Sequence, residues 1–405
     1  MSTLDIGKAL DAITDWQEES YIHLHQNPEL SMQETETCDF IEAELEKLGY
    51  QVQRIGGGVV GVLENGEGAT VLFRADIDAL PVKENTGLEY ASTITRTDEN
   101  GNEVPAMHAC GHDFHIMANL GAARVLSENT DAWSGTHIAL FQPGEETAAG
   151  AKSMVEDGLV DKLPKPDVAL GQHVLAGPMR SGQVGTHAGP ILSTGASIKV
   201  TLHGKGSHGS MPHLGVDPVV LASAIVLRLQ TVVSREINPF DMAVLTVGSV
   251  QAGSKSNIIP DSAQLLINIR AYDMAVREQL LAGIKRVVVA ECEAANCPQA
   301  PEFELYDSYP LTDNDVETTE KVTKAFVDHF GADRVMDCGE VSASEDFSFI
   351  PDAFGVDYCY WGFGGFEAGA QTYPNHNPAF GPVMQPTLRT GTEAAIVACL
   401  AWLKE

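Results

Sequence analysis

His137-Ile138-Ala139-Leu140-Phe141-Gln142-Pro143-Gly144-Glu145-Glu146 carries a short apolar run into a Pro-Gly turn and then into two adjacent carboxylates. A run of this length, closed by turn residues, reads as a strand buried in a parallel sheet. Acids placed directly after it stand where open α/β sheets build their sites. Working outward, the same pattern recurs. Helical periodicity covers residues 6–26 and 34–48, apolar strands follow at 59–63 and 70–73, a helix follows Phe114, and a further strand covers 167–170. This alternation predicts an α/β fold, with a mixed, mainly parallel sheet and helices on both faces.

Between residues 191 and 301 the pattern changes to strand 196–203, helix 218–233, strands 243–250 and 263–270, and helix 275–295. Strand-helix-strand-strand-helix predicts a compact α+β unit of ferredoxin-like type. It reads as an inserted domain at 191–301 that serves as lid and dimerisation surface. Residues 302–305, a helix at 316–330 and a last helix at 392–403 resume the α/β alternation, so the first domain is expected to be discontinuous, over 1–190 and 302–405. A chain of 405 residues exceeds one comfortable core, which suits two domains. The flanks 185–195 and 298–301, rich in glycine or bearing proline, suit hinges.

A formal net charge of −31 sets up a field that repels phosphate backbones and anionic lipid. Nucleic acid and membrane partners are therefore not expected. The first twenty residues carry acids where a secretory leader would carry a basic and then an apolar run, and no later segment approaches a membrane span, so a cytoplasmic location is expected. Seven cysteines without a CxxC spacing point to reduced thiols rather than a disulfide framework.

The densest chemistry lies at Met107-His108-Ala109-Cys110-Gly111-His112-Asp113-Phe114-His115, three imidazoles with a thiol and a carboxylate. Zinc takes sulfur, imidazole and carboxylate together. Cys110 and His112 flank a glycine, so a turning backbone can aim both at one point. For Asp113 and His115, ligation and a supporting or packing role stand about equal. In the opening segment, adjacent Glu145 and Glu146 allow one acid to hold a metal while the other moves a proton. Gly171-Gln172-His173-Val174 after strand 167–170 and Asn375-His376-Asn377-Pro378 near the end each add a histidine.

In this order, with Arg74-Ala75-Asp76-Ile77-Asp78-Ala79-Leu80-Pro81 upstream and Gly206-Ser207-His208-Gly209 and Ser256-Asn257-Ile258-Ile259-Pro260-Asp261 in the inserted segment, the chain resembles the bacterial and plant aminoacylases of the zinc carboxypeptidase superfamily. These include hippurate hydrolases, auxin-conjugate hydrolases and N-acyl-amino-acid amidohydrolases. The resemblance spans the whole chain. It implies that Cys110, His112, Glu146, His173 and His376 are metal ligands, with the Cys110 thiolate bridging two ions. It implies that Glu145 is the general base and that Asp76 orients the ligands without binding the ion. His208 would reach substrate, commonly in the partner subunit, while Asn257 and Arg270 would face its carbonyl and carboxylate ends. The segment at residues 267–270, Ile-Asn-Ile-Arg, varies mildly from the family pattern.

The implied activity is metal-dependent hydrolysis of the amide of an N-acyl amino acid. One or two divalent ions would serve, zinc first, with manganese and cobalt as alternatives, in a homodimer or homotetramer joined through the lid. Benzoyl, indole-acetyl and aliphatic acyl groups all occur in the family. A metallo-exopeptidase uses the same centre, and a non-catalytic metal-binding relative would have no need of Glu145. A cysteine peptidase built on Cys110 is the remaining competitor. The sequence has neither a GxSxG elbow nor a GxxxxGK[ST] phosphate loop.

Overall fold

The computed structural model describes residues 4–403, which divide into two compact units: Leu192–Thr312 with Val341–Glu345 form one, and the remainder the other. The larger unit is built on an eight-stranded sheet in the order Gln51–Ile55, Gly58–Asn65, Gly135–Gln142, Thr70–Asp76, Val168–Leu175, Tyr358–Gly364, Val184–Thr186, Val335–Asp337. Its central strands, Gly135–Gln142 through Tyr358–Gly364, pair in parallel, and the strands at the Gln51–Ile55 edge are antiparallel. This is the mixed, mainly parallel sheet the alternation predicted.

The apolar runs explain the burial. Every residue of Tyr358–Gly364 is buried, as expected of a strand covered on both faces. Helix Ile6–Gln26 begins where the Asp5 side chain accepts from the Lys8 N–H at 3.1 Å. It buries Leu10, Ile13, Gln17, Tyr21 and Leu24, one face at helical spacing. Helix His112–Glu128 is buried nearly all round, a central helix of this core.

One strand differs from its expected extent. The sequence suggests an end at residue 170, but the strand runs Val168–Leu175, so His173 stands within it rather than after it. The parallel partner Tyr358–Gly364 matches it residue for residue and carries the ladder past Gly171.

The smaller unit has a four-stranded antiparallel sheet ordered Ala243–Ala252, Ser262–Ala271, Thr194–His203, Glu302–Tyr309. Helices Pro218–Glu236 and Met274–Ala294 supply Leu221, Ile225, Leu229, Leu280, Ile284 and Val288 to its core. Asp217 and Asp273 cap the two helices, accepting from Val219 N–H at 2.9 Å and Ala275 N–H at 2.6 Å. Glu302–Tyr309, placed by its pattern with the domain resuming at residue 302, hydrogen-bonds instead to Thr194–His203 and completes a strand-helix-strand-strand-helix-strand order. It is an edge strand with little buried surface, so no apolar run announced its partner. The expectation that no segment reaches a membrane span also needs correcting: Pro218–Glu236 is long and apolar enough by length and composition. Its inner face packs on this unit's sheet, and Arg228, Arg235 and Glu236 are exposed on the same helix.

Candidate metal centre

The candidate site assembles at the carboxyl ends of the parallel strands of the larger unit. Thr70–Asp76 leads to Asp76 and Asp78, Gly135–Gln142 leads to Glu145 and Glu146, and Val168–Leu175 carries His173. Cys110 and His112 arrive on the turn into helix His112–Glu128. Gly111, the residue between them, has φ +82°, and a Cβ there would lie 2.4 Å from Val174 Cγ1. Glycine is the residue that permits both the conformation and the approach. Gly144, before the acid pair, has φ +55° and is pressed as closely by Met32 Sδ. His376 adopts a left-handed conformation too, φ 70°, and its N–H donates to Ala109 O at 2.8 Å. Non-glycine residues held this way cluster at functional sites.

The five expected ligands come together. Cys110 Sγ lies 3.4 Å from His173 Nε2, His376 Nε2 lies 3.2 Å from Glu146 Oε1, and His112 Nε2 lies 3.9 Å from Glu146 Oε1. Cys110, Glu146 and His376 form one group of possible ligands, and His112, Glu145 and Glu146 another, with the ligand atoms of each group within 4.8 Å of one another.

Hydrogen bonds set which nitrogen each imidazole presents. His173 Nδ1 donates to Val174 O at 2.7 Å, which leaves Nε2 as the lone-pair nitrogen facing Cys110. His112 Nδ1 donates to Asp78 Oδ1 at 3.1 Å, and its buried Nε2 has no hydrogen-bond partner. Glu146 Oε1 is likewise buried without one. Orphaned buried polar atoms are costly, and here two of them converge with a thiol and two more imidazoles. A tetrahedral site with bonds of about 2.0–2.3 Å separates its ligands by about 3.3–3.8 Å. The separations found, 3.2 to 3.9 Å, fit a divalent ion held by this donor set.

His115 is settled by the same bookkeeping. Its Nε2 accepts from Val174 N–H at 2.8 Å and its Nδ1 donates to Asp76 Oδ1 at 2.5 Å, so no lone pair remains for a metal. Asp113 receives His25 Nδ1 at 2.6 Å, and His25 Nε2 meets Glu84 Oε1 at 3.1 Å. Both residues left open between ligation and support are therefore occupied by supporting bonds. Asp76 is tied to Arg74 Nη1 at 2.8 Å and to His115, and stands 3.7 Å from His112 Nε2.

Sequence reasoning passed over Asp78. It accepts from His112, from Ser31 Oγ at 2.6 Å and from the Glu146 N–H at 3.0 Å. The signal lay in Arg74-Ala75-Asp76-Ile77-Asp78, where a second acid follows two residues on. His208, Asn257 and Arg270 belong to the smaller unit. There His208 Nδ1 and Ser210 Oγ are 2.7 Å apart, and Arg270 donates to Ser344 Oγ at 2.5 Å.

The electrostatics report excess negative charge. Burial alone would lower His112, yet Asp76 and Asp78 hold it well above its ordinary value. The Cys110 sulfur and the Glu146 carboxylate beside it push His376 up to about 10. Burial would raise Asp76, but His112, His115 and Arg74 keep it well below the usual carboxylate range. The carboxylates and the Cys110 sulfur that draw protons to His112 and His376 carry the negative charge that a divalent cation would balance.

The comparisons with known proteins agree with this geometry. Residues 72–396 match Peptidase family M20/M25/M40. The chain is 36% identical to the N-acetyl-L-cysteine deacetylase of Bacillus subtilis, over 88% of this chain and 81% of that protein. It is 35% identical to thermostable carboxypeptidase 2 of Saccharolobus solfataricus, over 91% of each. Among solved structures it is similar to the YXEP protein of Bacillus subtilis, described as a dinuclear metal binding peptidase from the M20 family, with 26% identity, TM-score 0.78, and coverage of 96% of this chain and 98% of that one. With the family matched over most of its length and relatives above one third identity, the chain belongs to peptidase family M20/M25/M40.

Proposed function

We propose that this chain is a metal-dependent amidohydrolase that cleaves the amide bond of N-acyl amino acids, releasing a carboxylic acid and a free amino acid. The observation that carries the reading is the convergence of His112 Nε2 and Glu146 Oε1, both buried without hydrogen-bond partners, on Cys110, His173 and His376. The deacetylase relative and the resemblance to aminoacylases favour an acylated amino acid as substrate.

Cys110, His112, Glu146, His173 and His376 would hold the metal, with zinc our first choice for this mixed sulfur, nitrogen and oxygen set. A bound divalent ion polarises a carbonyl and acidifies water near neutral pH. Glu145, buried beside Glu146, takes the proton of the attacking water and delivers it to the departing amine. Asp76 and Asp78 fix the imidazoles and the Glu146 backbone. We assign the smaller unit the roles of lid and subunit contact in a homodimer or homotetramer, with His208 serving the oxyanion and Asn257 and Arg270 the substrate's carbonyl and carboxylate. We assign it a cytoplasmic location, which suits its free thiols.

The carboxypeptidase relative favours a second reading, release of a carboxy-terminal residue from a peptide by the same centre. Amino-acid release measured over matched panels of N-acetyl, N-benzoyl, N-indoleacetyl and medium-chain acyl amino acids and of unblocked dipeptides separates the two. Turnover concentrated on the N-acyl compounds is expected. Turnover confined to dipeptides would leave the exopeptidase, and none in either panel would dismiss both.

A further inference from the structure

The end of helix Met274–Ala294, in the smaller unit, brings two cysteines together through its capping geometry. After the last helical turn, Ala295 is the half-helical residue and Asn296 is left-handed, φ 58°. Cys297 N–H reaches back to Cys292 O at 3.0 Å, and Asn296 N–H to Glu293 O at 3.0 Å. This pair of bonds, six residues to one and five to two, defines a Schellman motif, in which the side chains of the first and last residues of the bracket pack against each other. In most helices that contact is made by two apolar side chains. Here it is made by two thiols.

Burial agrees with that placement. Cys292 is one of the buried residues of this unit's core, and Cys297, half-buried, packs against the same cluster. The Cys292 thiol is pushed up to about 12, by burial first and then by the neighbouring Cys297 sulfur. Pro298 follows at once, where the helix cannot continue, so the bracket is closed from both sides.

We propose that Cys292 and Cys297 are a redox-active dithiol, a site for reversible disulfide formation with a low-molecular-weight disulfide such as oxidised glutathione. The more exposed sulfur, Cys297, is the entry point. Its thiolate attacks one sulfur of the small disulfide, forming a mixed disulfide and expelling one small thiolate, which takes up the proton Cys297 lost. Cys292 then gives up its proton and attacks Cys297 Sγ, and the second small thiol leaves with that proton. Two protein thiols are oxidised and one small disulfide is reduced to two thiols. The product clips the last turn of the helix to its own cap. The other cysteines, at 38, 110, 338, 359 and 399, have no such bracket.

The test equilibrates the folded protein with oxidised and reduced glutathione, quenches with acid, alkylates in denaturant and maps the peptides by mass spectrometry. The alkylatable thiols should fall from seven to five, with one intramolecular link joining 292 to 297, reversed by excess reduced glutathione. Cys292→Ser should halt at a stable glutathione adduct on Cys297, and Cys297→Ser should keep its remaining thiols reduced. Seven alkylatable thiols retained under fully oxidising glutathione, a wild-type adduct on Cys297 that never resolves, or a link that forms only after unfolding would each overturn the proposal. Because amide hydrolysis is not the readout, a different substrate class for the enzyme would leave this result untouched.

Discussion

Asp78 accepts the Nδ1 proton of His112 at 3.1 Å and so turns the ring's other nitrogen toward Glu146. The same carboxylate accepts the Glu146 N–H at 3.0 Å, and one acid thereby sets both the orientation of an imidazole and the path of the chain that carries the facing carboxylate. Loss of such a partner characteristically weakens metal affinity by about 10–100-fold.

Asp78→Asn is therefore expected to lower metal affinity about 10–100-fold, measured by competition against a chelator of known affinity, while near-wild-type circular dichroism shows the fold retained. An amide can accept from one donor, but its charge is gone and its NH2 faces another donor. Affinity within a factor of about two of the parent would show that Asp78 has no such hold on the site.

The adjacent acids should separate cleanly. Glu145→Gln is expected to keep its metal and lose about 10²–10⁴-fold in kcat, the range for removing a general base. Glu146→Gln replaces the oxygen that faces both His112 and His376, so metal content should fall and activity with it. Metal analysis of both purified variants alongside kcat decides between them, and the reverse pattern would exchange the two assignments.

His25 supplies a pH prediction for stability. Burial alone would lower its pKa, but hydrogen bonds to Asp113 and Glu84 outweigh burial and raise it from about 6.5 to about 9. A raised folded-state value means that the contribution is fully present below the unfolded value and is lost as pH rises through the folded one. Between about pH 6.5 and 9, up to about 3 kcal/mol should disappear through this group. Urea unfolding of the parent and of His25→Gln across that window tests it. The parent should lose stability with rising pH more steeply than the variant, and parallel curves would remove His25 from the account.

Much of this was legible because the relevant residues sit in short strings. Cys110 and His112 flank a glycine, and Glu145 and Glu146 follow a buried strand, so local spacing marked each string as candidate metal chemistry, and the resemblance to the aminoacylases joined them into one centre. The supporting residues were harder because their partners come from elsewhere in the chain. His115 is decided by the backbone N–H of Val174, and side-chain patterns carry no record of backbone donors. Asp76 and Asp78 are both acids beyond one apolar strand, and only the fold shows which of them meets His112 Nδ1. Glu302–Tyr309 has the alternation of an edge strand and nothing to name Thr194–His203 as its neighbour.

The central claim, a hydrolase whose chemistry depends on a metal held by Cys110, His112, Glu146, His173 and His376, is tested most directly by removing that metal. The purified protein is dialysed exhaustively against chelator, and metal content, circular dichroism and amino-acid release from an N-acyl amino acid are followed together. Release should vanish as bound metal is lost, with the helix and sheet signals largely retained, and zinc, manganese or cobalt should restore it in step with rebinding. Undiminished hydrolysis by protein shown to be free of metal would contradict the account.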